Sequence, residues 1–339
     1  MTSTRTGAIV AAAFLAAGVL PAQAQSVADF YRGKTINVLI GVGVGVGGEY
    51  DLQARMVARH LGKHIPGSPT VVPQNMIGAG GIKMANYLFA QAARDGTNIG
   101  MMGNNFPATE AVGGSGVQYS SVKFNWLGTM APVVETMAVL TSTGVKTVDD
   151  LRGKEIVAGA SGKGAITYIY PSTMNEFLGT KFKIVTGYPG GNQINLAMER
   201  GEVQARNNTW SSWKATKPSW LRDKFITVLV QAGPRAPDLD APSVESFAKT
   251  PDDRKLIELV TSGTHLGRPI ATTPDVPEDR FRALRAAYRA TMADPEFRAE
   301  AEKAGFEVAP VYGEEMQNIV QGIMSTPKEL AVRAKHLVE

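Results

Sequence analysis

Thr35-Ile36-Asn37-Val38-Leu39-Ile40-Gly41 runs into Gly43-Val44-Gly45-Val46-Gly47-Gly48 and then into Leu52, Met56, Val57 and Leu61 at helical spacing. A short apolar run ending in glycines is the form of a buried parallel strand. The pattern returns: Thr70-Val71-Val72 leads to Gly78-Ala79-Gly80-Gly81, a helix through Met84, Leu88 and Phe89, the turn Asp95-Gly96, and a strand from Asn98 to Met102. Two strand–loop–helix units in succession argue for a mostly parallel sheet covered by helices on both faces, an α/β fold. A second series opens at Thr147, set with Asp150 as a capping box. It continues with a strand from Glu155 to Gly159, the loop Ala160-Ser161-Gly162-Lys163-Gly164, and a helix through Tyr168, Met174 and Phe177. A strand from Phe182 to Thr186 follows, then Tyr188-Pro189-Gly190-Gly191 before a helix through Leu196 and Met198, and strands at Val203 to Arg206 and Phe225 to Val230. The last third reads as helices, at Asp253 to Ser262, Pro277 to Met292, and around Glu300 and Met316.

The 339 residues suffice for two domains with a core in each, and 44% hydrophobic with 19% charged residues is a globular composition. There is no cysteine, which excludes disulfides, thiol nucleophiles and thiolate metal sites. Arg5, the apolar run Gly7 to Leu20 and Ala22-Gln23-Ala24 form the three regions of a secretory signal, so cleavage is expected after Ala24 and a periplasmic location with it. The apolar run is shorter than the ~20 residues that span a bilayer. The net charge of +4 comes from 35 basic and 31 acidic residues that are interspersed without a basic run. That pattern gives little attraction for nucleic acid.

Each glycine cluster follows a strand and precedes a helix, whose first N–H groups lack partners and carry the positive end of the dipole. Carboxylates and phosphates are natural guests there, at the strand ends where open α/β sheets bind their ligands. Gly43 to Gly48 fits G-x-G-x-x-G, which raises a nucleotide-dependent enzyme as the alternative. The acid expected after the second strand is missing, however, since Pro73-Gln74-Asn75 stands there.

These residues also carry a family resemblance. Gly47-Gly48-Glu49-Tyr50-Asp51 with Ala54-Arg55 resembles the G-G-G-x-D…A-R signature of tripartite tricarboxylate transporter solute receptors, also called Bug receptors. The resemblance continues through residues 75–81, Asp95-Gly96-Thr97, residues 159–164 and 182–191, and Glu199-Arg200-Gly201-Glu202-Val203. Toward the end it includes Thr273-Pro274, Ala293-Asp294-Pro295-Glu296 and Gly305-Phe306-Glu307. It implies a two-domain Venus-flytrap fold of the type II-like periplasmic binding proteins. The first domain would take residues 25–132 and 262–339, and the second residues 133–261. It further implies a monomeric receptor, not an enzyme, without cofactor, that grips an organic acid and delivers it to a membrane permease. The ligand contacts implied are Gly47, Gly48, Tyr50 and Asp51 in one domain and Ser161, Gly162, Gly164 and Ala165 in the other. Gly80 and Asn104 would lie at neighbouring strand ends, and Gly190 with Asn192 at the next loop. Residues 207–210, Asn208 among them, follow a strand and can line the same cleft.

Glu49 departs from the signature, which has glycine there. A carboxylate beside an anion is repulsive, so either Glu49 turns away and favours the helix start, or the ligand presents a cation or donors to it. The expectation is that it turns away. Tyr50 is open to two readings, stacking on an aromatic ligand or packing into the wall.

Other constellations reduce to structure. His60 and His64 have i, i+4 spacing but no third ligand nearby in the sequence, so no metal is expected. Gly159-Ala160-Ser161 starts like a nucleophile elbow, but Lys163 breaks it. Trp210, Trp213 and Trp220 with Lys214, Lys217 and Arg222 read as an amphipathic segment packing inward.

Overall fold

The computed structural model describes residues 26–42 and 48–337. The expected signal sequence and the glycines from Gly43 to Gly47 lie outside the described residues.

Two sheets organise the chain. The strands are β1 (Thr35–Ile40), β2 (Thr70–Asn75), β3 (Asn98–Met101), β4 (Asn125–Thr129), β5 (Glu135–Leu140), β6 (Glu155–Gly159), β7 (Lys181–Val185), β8 (Ala205–Thr209), β9 (Ile226–Ala232), β10 (Ile270–Thr272) and β11 (Val311–Tyr312). One sheet has the order β11-β4-β10-β3-β1-β2 and the other β7-β6-β8-β5-β9. Both are mixed rather than mostly parallel. β1 pairs in parallel with β2 and β3, and β6 with β7 and β8. In the first sheet β10 lies antiparallel to β3 and β4, and β11 to β4; in the second β5 lies antiparallel to β8 and β9. The strand–loop–helix units supply the parallel pairs, whereas β5 and β10 directly follow the segments that pass from one sheet to the other and enter against their neighbours.

Local chemistry explains the element ends. Thr147 accepts the N–H of Asp150 and Asp150 returns the bond to Thr147 N–H, a complete capping box. Gly41 ends β1 because a Cβ there would stand 2.5 Å from Met84 Cβ, so the helix Ile82–Ala90 packs directly on the strand end. Trp213 and Trp220 are buried with Ile194, Met198 and Ile226, while Trp210 is half-buried and donates its indole N–H to Asp238 at 2.8 Å. Each fully buried aliphatic side chain of the cores contributes roughly 1.5–3 kcal/mol.

Residues 130–134 and 262–269 cross between the sheets side by side, tied by Val133 N–H to Thr264 O at 2.8 Å and Arg268 N–H to Thr129 Oγ1 at 2.9 Å. The helix Lys328–Ala334 returns to Pro251–Thr261, where Arg333 meets Asp252 at 3.0 Å. No helix among the described residues is long and apolar enough to cross a membrane.

Candidate functional site: a cationic cavity between the lobes

Three helix starts converge where the lobes face each other. Gly48 caps Glu49–Leu61, Ala165 caps Ile166–Thr173, and Gly190 caps Gly191–Glu199. Their partnerless N–H groups lend the space between them positive potential. A cavity of about 60 Å³ lies there. Gly48, Glu49 and Tyr50 wall it from the first lobe, and Ser161, Ala165, Asn192 and Asn208 from the second. Six of these, all but Glu49, were expected ligand contacts. Asp51 is buried below the wall and pairs with Arg55 at 2.8 Å. Asn104 is also buried, within 3.4 Å of the Tyr50 hydroxyl. Gly80, Gly162 and Gly164 lie at the seam where the lobes meet, and Gly190 is the helix cap behind Gly191. Gly47 lies outside the described residues.

The seam is closed. Asn105 Nδ2 donates to Gly164 O at 2.8 Å across it. A Cβ on Gly80 would stand 2.8 Å from Ala165 N and Gly164 C, and Gly80 has φ +65°, so space and conformation both require glycine. Gly80→Ala is therefore expected to hold the lobes apart, increasing the radius of gyration in solution scattering and weakening ligand binding about 10-fold, the effect of ~1.4 kcal/mol lost from closure. Wild-type scattering and affinity in the variant would show that the seam does not control closure.

Two arginines that the sequence did not single out dominate the cavity. β8 reads Ala205-Arg206-Asn207-Asn208-Thr209 and every residue is buried in the middle of a sheet. Five such positions given largely to polar side chains are costly unless they bond. Arg206 Nη1 donates to Gly191 O at 2.6 Å and Asn195 Oδ1 at 2.7 Å, and Nε to Asn207 O at 3.0 Å. Its guanidinium also lies 5.2 Å from the Trp213 ring centre. All these acceptors are neutral, and among the described residues no carboxylate forms an ion pair with it. Burial pulls the Arg206 pKa down to about 10, so it stays charged at neutral pH. Asn207 Oδ1 and Asn208 Nδ2, both on the cavity wall, have no hydrogen-bond partner among the described residues.

Arg268 comes from the crossing segment and is met by acids. Nη2 lies 2.7 Å from Glu49 Oε2, Nη1 lies 3.6 Å from Glu135 Oε1, and the guanidinium covers the Tyr50 ring at 4.2 Å. Burial opposes its charge, but Glu49, Tyr50 and Glu135 outweigh burial and hold its pKa above the ordinary arginine range. This corrects the expectation for Glu49. It does begin the helix, but its side chain turns into the interior and forms part of the cavity wall. There it accepts from Thr209 across the seam, from Ser211 at 2.7 Å and from Gln53 at 3.1 Å. Tyr50 belongs to the wall, one face of its ring taken by Arg268.

Burial pushes the Glu135 carboxyl above its ordinary 4.5, with Arg268 opposing. The folded state then holds this proton more tightly than the unfolded chain, so this part of the stability is present below pH 4.5 and is lost as pH rises through the folded pKa. Glu135→Gln should remove that loss. The difference in unfolding temperature, variant minus wild type, is expected to grow from pH 4.5 towards neutrality, and a difference independent of pH would contradict it.

Elsewhere, His60 Nε2 lies 2.7 Å from Glu300 and His64 Nε2 lies 2.9 Å from Asp294. Ligand-type atoms of His60, Asp294 and Glu296 cluster within 4.8 Å, but Lys63 already pairs with Asp294 and Glu296 at 2.6 Å each.

No family model matches the chain, and no curated protein matches it in sequence. Solved structures match its fold. The periplasmic binding protein BugD aligns with a TM-score of 0.72 at 19% identity, over 90% of this chain and 98% of its own. A protein of R. palustris with adipate aligns with 0.68 at 18%, over 89% and 97%. MatC from Rhodopseudomonas palustris with bound malate aligns with 0.67 at 18%, over 90% and 99%. These likenesses establish a two-domain α/β Venus-flytrap fold, as expected from the sequence.

Proposed function

We propose that this chain is a periplasmic solute receptor of the Bug type that closes on a small organic acid between its lobes. The observation that carries the reading is Arg206, a buried cation on the cavity wall whose hydrogen-bond acceptors among the described residues are all neutral. A carboxylate supplies the missing charge, as a charge-assisted hydrogen bond made inside the protein. Asn195 holds the guanidinium, and Asn192, Asn208, Ser161 and the helix starts at Gly48, Ala165 and Gly191 surround the acid. The structures of this fold with malate and with adipate agree with an organic acid as ligand.

Closure follows from geometry. Gly48 and Tyr50 stand on one lobe and Arg206, Asn192 and Asn208 on the other, so an acid touching both sides favours the closed state by its differential affinity. The lobes divide near residues 132 and 262, the receptor acts as a monomer, and the closed form hands its acid to a tripartite tricarboxylate-type permease. Residues 1–24 direct export.

A thermal-shift screen of the purified protein against mono-, di- and tricarboxylates, cations and nicotinamide cofactors tests this. An acid at a hundred times its dissociation constant should stabilise the fold by ~2.7 kcal/mol. A response confined to nicotinamides or cations would overturn the reading.

A further inference from the structure

The charges around the cavity restrict which acid fits, an inference that rests on the receptor reading above. Among the described residues of the wall the charged side chains are Glu49, Arg206 and Arg268. Arg268 is already answered by Glu49 at 2.7 Å, with Glu135 behind it at 3.6 Å. Glu49 is fully engaged: Oε1 accepts from Gln53 and Ser211, and Oε2 from Arg268 and Thr209. Arg206 has no ion-pair partner among the described residues, and the charge of Glu135, which also acts on it, can lower the balance but not raise it. The cavity therefore balances at most one negative charge.

We propose that Glu49 is a charge filter: by neutralising Arg268 it leaves Arg206 as the one cation of the described wall without an acidic partner, so a second carboxylate meets only helix starts and neutral side chains beside Glu49, and the receptor takes small monocarboxylates in preference to dicarboxylates. A second carboxylate confined in about 60 Å³ beside Glu49 is buried next to a like charge without a cationic partner among the described residues. That is the arrangement by which binding sites discriminate through repulsion. The glycine that the Bug signature has at this position carries no such charge. Glu49 thus determines specificity through Arg268 as well as by its own place on the wall.

The test is titration calorimetry of the purified protein at pH 7.5 with acids of two to six carbons, including matched pairs such as propanoate with malonate. The best monocarboxylate should bind at least about 100-fold more tightly than the best dicarboxylate, the discrimination expected for an unpaired buried charge. Glu49→Gln, shown folded by its unfolding transition, should shrink that ratio about 10-fold or more. Dicarboxylates binding as tightly as monocarboxylates in the wild type would overturn the filter and leave the receptor reading standing. Silence from every acid would overturn the receptor reading itself. A ratio unchanged in folded Glu49→Gln would remove Glu49 from the explanation, and should that variant not fold, the wild-type ratio alone upholds or overturns the monocarboxylate preference.

Discussion

Arg206→Met is expected to abolish the response to carboxylates while leaving a folded protein. In the wild type the guanidinium is buried on β8 with Gly191 O, Asn195 Oδ1 and Asn207 O as acceptors. Removing it leaves a bound carboxylate without its charged partner, and truncating one side of a buried, hydrogen-bonded charge pair costs roughly 2–5 kcal/mol. An affinity loss of about 100-fold or more follows. The effect on stability is smaller because two terms oppose. Three acceptors lose a donor, at ~1–3 kcal/mol for each left buried and unsatisfied. Against this, a charge whose burial already pulls its pKa down to about 10 no longer has to be desolvated. Methionine fills much of the volume and keeps contact with Trp213. Calorimetry together with thermal unfolding separates the two effects. Retained binding in folded Arg206→Met would show that the acid is held elsewhere.

The glycine loops were legible in the sequence because a strand, a glycine turn and a helix leave a local signature. Gly48, Tyr50, Ser161, Ala165, Asn192 and Asn208 accordingly reach the cavity wall. Non-local contacts leave none. Arg268 follows Gly267 on a crossing segment 219 residues from Glu49, and nothing in its neighbourhood marks it as Glu49's partner. Without that partner an acid at the helix start reads as turning away, since capping and the helix dipole account for it locally. Arg206 was hidden differently. Val203 to Arg206 reads as a strand, but Arg206-Asn207-Asn208-Thr209 has neither the alternation nor the apolar run of a buried one, so its complete burial is a tertiary fact. The signal it did offer was a polar segment directly continuing Val203, which marks strand residues that face a cleft. β5 and β10 were missed because each follows a crossing segment rather than a strand–loop–helix unit, and β10 has only three residues.

Arg268→Met should produce the largest loss of stability, because it strands two acids at once. Glu49 and Glu135 are both almost wholly buried, and in the wild type the same guanidinium answers them at 2.7 and 3.6 Å. Beyond Arg268, only the neutral side chains of Asn104 and Asn207 are placed to relieve the Glu135 carboxylate. Breaking a buried pair by removing one member costs about 3–5 kcal/mol, which for domains of this size lowers the unfolding temperature by roughly 6–20 °C. Two further measurements identify the cause. Adding Glu49→Gln to Arg268→Met should recover part of the loss, because one stranded charge is gone and the two positions are directly coupled. Lowering the pH should narrow the gap between variant and wild type. Without Arg268 less opposes the burial that raises the Glu135 carboxyl, which holds its proton to still higher pH in the folded state, so the variant's deficit is smallest below the ordinary carboxyl range and grows as pH rises through the raised value. A deficit that neither Glu49→Gln nor acid relieves would mean that Arg268 stabilises the fold through its cover over the Tyr50 ring at 4.2 Å rather than through its acidic partners.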